Sequence, residues 1–259
     1  KNQNNSFSNL FKKNLPSAVI IHKTIPSKFI DIIENNFVKK KIPIIFDLCD
    51  PPFKHYSLSN KEKIALDDFQ RIIAISNLVI VSSPALMRSF SSEINVKYIP
   101  DLIDPPVQID TNSVDDKQNI LYSGEVDSDK EVLNLCWFGG AGKKSLLNGI
   151  HELIESQKLI LALTHKYVVN LNICSNITND QRNELIDTCK KNKVSQLTYD
   201  EWTMENVARS INKCDFCFLP RLNSHVTYYK SPNRLATALS YFRRTIISNI
   251  SSPEYDIFD

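Results

Sequence analysis

The sequence predicts an α/β protein in which two Rossmann-like βα domains face a cleft. Apolar, strand-like runs alternate with amphipathic, helix-like runs along nearly the whole chain. An acidic stretch that begins at Pro105-Pro106 and holds 2 Lys+Arg against 7 Asp+Glu separates the alternation into two series. All five glycines lie between Gly124 and Gly149, about a third of the number that an average chain of this length carries. The second series therefore begins at a turn that needs glycine.

The first series predicts an N-terminal domain over residues 1–107. Its strands are expected where short apolar runs occur, and its helices where apolar residues recur every three to four positions. The predicted strands are 18–22, 42–47, 78–82 and 96–99, and the predicted helices are 27–40, 64–76 and 84–91.

The second series predicts a C-terminal domain over residues 133–259, joined to the first by an acidic linker at 108–132. The same periodicities identify its elements. The predicted strands are 133–138, 168–174, 194–198, 216–219 and 245–248, and the predicted helices are 145–156, 180–191, 204–212 and 233–241.

The glycine-rich segment Gly139-Gly140-Ala141-Gly142 stands between a predicted strand and a predicted helix, which is the geometry that binds anions. A Walker A loop would need glycine in place of Trp137 and Ser or Thr in place of Lys144. A dinucleotide site would need a carboxylate after the next strand, which ends in Cys174-Ser175-Asn176. The phosphate or diphosphate of another ligand remains. The alternative is that the glycines only let a helix pack tightly on a strand.

Charge, cysteines and hydropathy exclude several classes. The net charge is +2, and neither large segment is basic enough for a nucleic-acid surface. Most of the six cysteines lie in strand-like runs, which is typical of buried, reduced thiols. Cys214 and Cys217 have redox or zinc spacing but no second pair nearby. No apolar run approaches the roughly 18 residues of a membrane span. The expected location is the cytoplasm, with peripheral association at the inner membrane face left open.

Several segments, in this order, resemble those of GT-B glycosyltransferases over roughly residues 16–255. Segments 44–52 (IIFDLCDPP), 78–86 (LVIVSSPAL) and 98–104 (YIPDLID) look like the second half of that family's N-terminal domain. Segment 135–140 (LCWFGG) is similar to its first C-terminal strand and diphosphate loop. Segments 218–220 (FLP), 230–239 (KSPNRLATAL) and 245–248 (TIIS) resemble its donor-phosphate helix and the adjoining strands.

The sequence departs from the family at two places. Retaining, group 1 or family 4-like members carry an E-x7-E pair that would fall near Lys230 and Thr237, and neither residue is acidic. Fewer strands precede Asp47 than a complete N-terminal domain of this type carries. The resemblance therefore implies a diverged member whose N-terminal domain is truncated.

The resemblance implies a hexosyltransferase of polysaccharide biosynthesis. It would move a sugar from a nucleotide-diphosphate sugar to a glycan or lipid-linked acceptor, with neither a metal nor a cofactor. Two alternatives remain: a non-catalytic nucleotide-sugar-binding module of a larger assembly, and a GT-B-like nucleotide-sugar epimerase. The pair Asp127 and Asp129 has the carboxylate spacing of metal-dependent glycosyltransferases of another fold, but it lies in the acidic linker.

The donor site is predicted around the glycine loop and the start of the helix at 233–241. Backbone N–H groups of Gly139 and Gly140 would meet the diphosphate, and the Arg234 guanidinium could bind it in a bidentate manner. The alternatives are that Arg234 is a solvated helix charge and that Trp202 is a core residue. The predicted donor-binding residues are Gly139, Gly140, Glu201, Trp202, Lys230, Ser231, Asn233 and Arg234.

An inverting reaction would also need a general base on the acceptor side. The candidates are Asp50, Asp47, His22 and His55; His22 and Asp47 end predicted strands, and Asp50 follows one. Asp50 is preferred because two prolines follow it. Asp47 could instead cap loop amides, and His22 could be a histidine whose hydrogen bonds are satisfied structurally.

Overall fold

The computed structural model describes residues 15–23, 25–49, 60–103, 105–108, 119–142, 144, 148–223 and 225–248. The side chains of residues 60–65, 225 and 226 are not among those described. The described residues divide into two compact units. Unit 1 comprises those up to Asp101 together with Tyr228–Ser231, and unit 2 comprises the others.

Unit 1 is built on a four-stranded sheet in which all neighbouring strands are parallel. Its strands, in both chain and spatial order, are β1 (Val19–His22), β2 (Ile44–Leu48), β3 (Leu78–Val81) and β4 (Val96–Tyr98). The connecting helices are α1 (Ser27–Asn36), followed by a 3-10 turn at Val38–Lys40, then α2 (Asn60–Ile75) and α3 (Pro84–Arg88).

The core of unit 1 lies where α1 and α2 pack on the sheet. Ile30 and Ile33 of α1 are buried, and the rings of Phe46 on β2 and Phe69 on α2 meet edge to face with centroids 5.7 Å apart. Helix α3 begins at a capped terminus, because the Ser83 hydroxyl accepts a hydrogen bond from the Leu86 N–H.

Unit 2 contains a six-stranded sheet in the order β10-β9-β6-β7-β8-β5. Its strands are β5 (Asn119–Ser123), β6 (Val132–Phe138), β7 (Val168–Cys174), β8 (Gln196–Asp200), β9 (Phe216–Leu219) and β10 (Thr245–Ile247). The helices that follow β6 along the chain are α4 (Ile150–Glu155), α5 (Gln157–Lys166), α6 (Asn179–Lys191), α7 (Met204–Lys213), α8 (His225–Tyr229) and α9 (Asn233–Ser240).

Five of these six strands run parallel, in the order of the first five strands of the Rossmann sheet. The strands are long apolar runs because both faces of the sheet are covered. Trp137 on β6 and Phe218 on β9 are among the largest side chains of the core with no exposure to solvent. The prediction of two Rossmann-like α/β units is confirmed by these sheets.

The predicted linker over 108–132 is corrected by the structure, because residues 119–123 form β5. This strand pairs antiparallel with β8, from Asn119 opposite Tyr199 to Ser123 opposite Gln196. Leu121 and Tyr122 pack against the core, so the short strand is held by apolar contacts that the surrounding acidic residues concealed. The division between the units falls after Asp101, six residues before the predicted boundary at 107.

Several helices also differ from the prediction: α1 ends at Asn36 and not at residue 40, and α8 was not predicted. The helix predicted over 145–156 begins only at Ile150, with Gly149 at its N-cap in a left-handed conformation (φ 66°); residues 145–147 lie outside the described part. A separate helix, α5, then precedes β7. Among the described helices, none combines the length and the apolar character that crossing a membrane requires.

Candidate functional site

The sheet order of unit 2 identifies where a ligand is expected to bind. Strand β6 lies between β7 and β9 in the sheet. The strands that follow it in the chain, β7 and β8, lie on one side of β6, and the later strands β9 and β10 lie on the other. Open α/β sheets bind ligands at such a switch point, outside the carboxyl ends of the strands. Those ends carry Gly139 after β6 and Arg221 shortly after β9.

The Gly139 turn has a role different from the predicted one. Its N–H donates to the Cys174 carbonyl oxygen (3.2 Å), and its own carbonyl accepts a hydrogen bond from the Ser175 hydroxyl (2.7 Å). In the structure this N–H is thus used within the sheet edge, and its contact with a phosphate stays a prediction. Gly139 instead permits close approach, because a β-carbon there would lie 3.1 Å from Cδ of Arg234 at a φ of 154°.

The other loop glycines fit different interpretations of the sequence, ligand binding for one and tight packing for the others. Gly140 is exposed, and no atom lies within 4 Å of the position that its β-carbon would take. Its N–H remains a candidate donor to a ligand. Gly142 and Gly149 pack the loop onto itself, since a β-carbon on Gly149 would lie 2.5 Å from the Gly140 carbonyl oxygen. Tight packing thus explains part of the glycine cluster.

Beside this turn lies a buried charge cluster formed by Arg234, Glu152 and Arg221. Arg234 Nη2 donates to Glu152 Oε2 at 2.5 Å, and Arg221 Nη1 lies 3.6 Å from Glu152 Oε1. The side chains of Arg234, Arg221 and Glu152 are 16%, 5% and 1% exposed. A buried carboxylate requires such partners. Two guanidiniums therefore flank one buried carboxylate.

Aromatic packing holds Arg234 over the sheet. Its guanidinium carbon lies 5.5 Å from the centre of the Trp137 ring, within the range of a cation–π contact. Trp137 is fully buried, and within the described part of the chain its indole N–H has no hydrogen-bond partner. The alternative that Arg234 is a solvated helix charge is therefore wrong.

Glu152 was not among the predicted site residues, because the predicted helix began at residue 145 and placed it too far along. With the true start at Ile150, Glu152 lies in the first turn of α4, beside the glycine loop. The unusual spacing between Gly142 and Gly149 is the sequence feature that could have indicated the later start.

The loop is anchored from α6 by Gln181. Its amide nitrogen donates to the Ala141 carbonyl oxygen (3.2 Å) and lies 3.1 Å from His151 Nε2. Burial lowers the pKa of His151 below its ordinary value. A neutral imidazole can accept a hydrogen bond from the amide, whereas a protonated one cannot. The contact therefore fits an uncharged His151.

The remaining predicted donor residues are distributed over both units. In unit 1 the Ser231 hydroxyl donates to Asp101 Oδ2 at 2.6 Å, and Lys230 precedes it. In unit 2 Asn233 begins α9. Trp202 is 42% exposed, so the alternative that it is a core residue is wrong. Glu201 is also exposed.

A cavity of about 730 Å³ opens beside Glu201 at the carboxyl end of β8. Its size is typical of small-molecule sites. Its polar lining comprises Asn119, Arg182, Tyr199, Asp200, Glu201, Asn206 and Arg209. The Arg182 guanidinium lies over the Tyr199 ring at 4.5 Å.

Of the four candidates for an acceptor-side base, the structure brings two together, and His55 lies outside the described residues. His22 ends β1 and is paired in register with Asp47 on β2, and His22 Nδ1 lies 2.8 Å from Asp47 Oδ2. A carboxylate on Nδ1 fixes the imidazole and leaves Nε2 to accept a proton. Asp50, the preferred candidate, lies outside the described residues.

Solved structures that this chain resembles include GT-B glycosyltransferases. One is Staphylococcus aureus TarM in complex with UDP (TM-score 0.60, 12% identity, 97% of this chain and 46% of that one). Another is an α,α-trehalose-phosphate synthase (UDP-forming) from Burkholderia vietnamiensis (TM-score 0.59, 10% identity, 97% and 64%). A third is the pneumococcal O-GlcNAc transferase GtfA in complex with UDP and GlcNAc (TM-score 0.58, 11% identity, 95% and 44%).

These likenesses confirm the predicted GT-B-like fold. The chain spans from about half to just under two thirds of the length of these three proteins. No protein-family model and no curated protein matches the sequence.

Proposed function

We propose that the protein is a glycosyltransferase that moves a hexosyl group from a nucleotide-diphosphate sugar to a glycan or lipid-linked acceptor. The observation that carries the proposal is the cluster of Arg234, Arg221 and Glu152 at the switch point of a GT-B-like fold. A site of this kind suits an anion with several charged oxygens, because guanidinium groups can donate paired, charge-assisted hydrogen bonds to such oxygens.

In this proposal Arg234 binds the donor diphosphate. Its guanidinium can offer a planar pair of N–H groups to phosphate oxygens, and the Gly140 N–H can add another donor. The diphosphate gains negative charge as the glycosidic bond breaks, so fixed positive charge in a largely buried place favours its departure. The cavity beside Glu201 is assigned to the nucleoside, in line with the expected roles of Glu201 and Trp202.

The acceptor is assigned to unit 1. There the His22 imidazole, oriented by Asp47 at 2.8 Å, would take the proton of the attacking hydroxyl if the reaction inverts the anomeric centre. We propose further that the transfer needs no divalent metal, because the arginine cluster supplies the charge compensation that a metal provides elsewhere.

The second candidate is a nucleotide-sugar-binding module without turnover. The observation that favours it is the absence of acidic residues near Lys230 and Thr237, where retaining relatives carry glutamates. An epimerase is less well supported, because the buried Glu152 is paired with two arginines and is poorly suited to exchange protons.

Calorimetric titration with nucleoside diphosphates, followed by turnover assays with a panel of nucleotide sugars in buffer containing a chelator, tests the proposal. Tight binding with sugar transfer is the expected result. Binding together with failure to transfer to a broad acceptor panel would support the module instead. If no nucleoside diphosphate binds, the donor site is wrong. A ligand at about 100 times its dissociation constant should add roughly 2.7 kcal/mol of stability, which a thermal-shift screen detects.

A further inference from the structure

A second chemical cluster lies in unit 1, at the ends of β1 and β2. Ligand atoms of His22, Asp47 and Cys49 all lie within 4.8 Å of one another. We propose that these three side chains form a binding site for Zn²⁺. The proposal does not depend on the proposed function, because metal binding can be tested without any sugar transfer.

The strand register brings two of the three side chains together. His22 and Asp47 are opposite one another in the parallel pair of β1 and β2, and paired residues project from the same face of a sheet. Cys49 directly follows β2, in a bend of the chain that leaves its sulfur within 4.8 Å of the other two ligand atoms. Strand pairing therefore sets His22 and Asp47, and the bend after β2 adds Cys49.

Backbone hydrogen bonds fix the main chain that carries the cluster. The Lys23 N–H donates to the Asp47 carbonyl oxygen at 2.9 Å, directly after His22. The buried Ser82 hydroxyl donates to the Cys49 carbonyl oxygen at 3.0 Å, which connects the end of β2 to the end of β3. Both hydrogen bonds are accepted by main-chain carbonyl groups, those of Asp47 and Cys49. They therefore fix the backbone from which these two side chains extend.

The set of ligand atoms selects the metal. Imidazole nitrogen, thiolate sulfur and carboxylate oxygen together suit Zn²⁺, whereas Mg²⁺ and Ca²⁺ prefer oxygen alone. In tetrahedral zinc with bonds of about 2.0–2.3 Å, neighbouring ligand atoms are about 3.3–3.7 Å apart. The His22–Asp47 separation is 2.8 Å, and no pair of ligand atoms in the cluster exceeds 4.8 Å. Side-chain rotations that move the ligand atoms by about an ångström would therefore give the separations that tetrahedral zinc requires.

The site is accessible to an ion and balanced in charge. The side chains of His22 and Asp47 are 56% and 36% exposed, and Cys49 is half-buried. The Asp47 carboxylate and the Cys49 thiolate that zinc binding creates would together neutralise the ion. Three protein ligands leave a fourth position for water. Zinc bound through His22 would occupy the side chain that the proposed function assigns to proton transfer.

Cobalt(II) is the probe for this site, because tetrahedral Co²⁺ bound to a thiolate absorbs in the near ultraviolet whereas zinc is silent. Protein freed of metal with a chelator should take up one equivalent of Co²⁺ with this absorption, and Zn²⁺ should displace it. Cys49→Ser should abolish the absorption. His22→Ala, at a position exposed enough to leave folding intact, should weaken cobalt binding by more than about tenfold.

Cys214→Ser is the matched control, since Cys214 is a buried cysteine of unit 2 whose sulfur lies 4.0 Å from that of Cys217. This variant should bind cobalt as the parent does. An absorption that survives in Cys49→Ser and His22→Ala, or that disappears in Cys214→Ser, would place the metal elsewhere. Absence of one-to-one binding by the parent would overturn the proposal outright.

Discussion

Replacement of Arg234 by alanine tests whether this arginine binds the ligand or only stabilises the fold. The change removes the guanidinium that bonds Glu152 at 2.5 Å and packs over Trp137 at 5.5 Å. It leaves Glu152, with a side chain 1% exposed, beside Arg221 at 3.6 Å. The consequence for folding must therefore be measured beside the consequence for binding.

The structure sets the size of both effects. Removing one partner of a buried ion pair costs about 3–5 kcal/mol, and we expect the lower end because Arg221 remains close to the carboxylate. Loss of one charge-assisted contact to the diphosphate should cost a further 1.5–3 kcal/mol of binding energy. That loss corresponds to roughly one to two powers of ten in the affinity for nucleoside diphosphates.

The Glu152→Gln variant should affect nucleoside diphosphate affinity differently from Arg234→Ala. It keeps the shape of the side chain but removes the negative charge, so the cluster gains positive charge while the folded state loses an ion pair. If Arg234 binds the donor, affinity for a nucleoside diphosphate should fall in Arg234→Ala and stay equal or rise in Glu152→Gln. Arg234→Lys should recover only part of the loss, because an ammonium lacks the planar fork.

Calorimetry with nucleoside diphosphates, together with urea unfolding of each variant, measures the two effects separately. Arg244→Ala is the matched control, since this arginine of unit 2 is exposed and its guanidinium lies over Phe216 at 5.3 Å. It should bind as the parent does. Parent-like affinity in a folded Arg234→Ala protein would refute the assignment, and equal weakening in Arg234→Ala and Glu152→Gln would reduce the cluster to a structural role.

Three further predictions follow from the geometry. Gly139→Ala should destabilise the fold by about 1–3 kcal/mol in urea unfolding, because its β-carbon would lie 3.1 Å from Arg234 Cδ and its φ of 154° disfavours a side chain. Gly140→Ala, where the β-carbon would meet no atom within 4 Å, should change the free energy of unfolding by less than about 0.5 kcal/mol. Similar losses of stability in both variants would contradict the loop geometry. Burial depresses the pKa of His151, with Lys144 lowering it further and Glu184 and Glu155 opposing; below about pH 6.5 the unfolded chain therefore binds more protons and stability falls. His151→Gln should flatten this fall between pH 7 and 5, and an unchanged slope would count against it. Sugar transfer should persist in chelator, whereas loss of turnover that Mg²⁺ or Mn²⁺ restores would overturn metal independence and return attention to Asp127 and Asp129.

The sequence by itself determined the class of fold, because apolar periodicity is a local property that survives without knowledge of neighbours. The two βα series and the glycine turn after β6 could all be derived from spacing along the chain. The position of Arg234 beside that turn also followed, although only through the resemblance of segment 230–239 to a donor-phosphate helix.

Only the tertiary structure decided the contacts that depend on strand register and on where each helix or strand begins and ends. Strand β5 was concealed in an acidic run because its stability comes from pairing with β8 and from Leu121 and Tyr122 packing on the core. Glu152 joined the arginine cluster because α4 begins at Ile150 and because β9 lies beside β6. His22 and Asp47, 25 positions apart, meet at 2.8 Å because two parallel strands pair in one particular register. Each of these contacts joins residues distant in sequence, and such contacts leave no periodic signal in the chain.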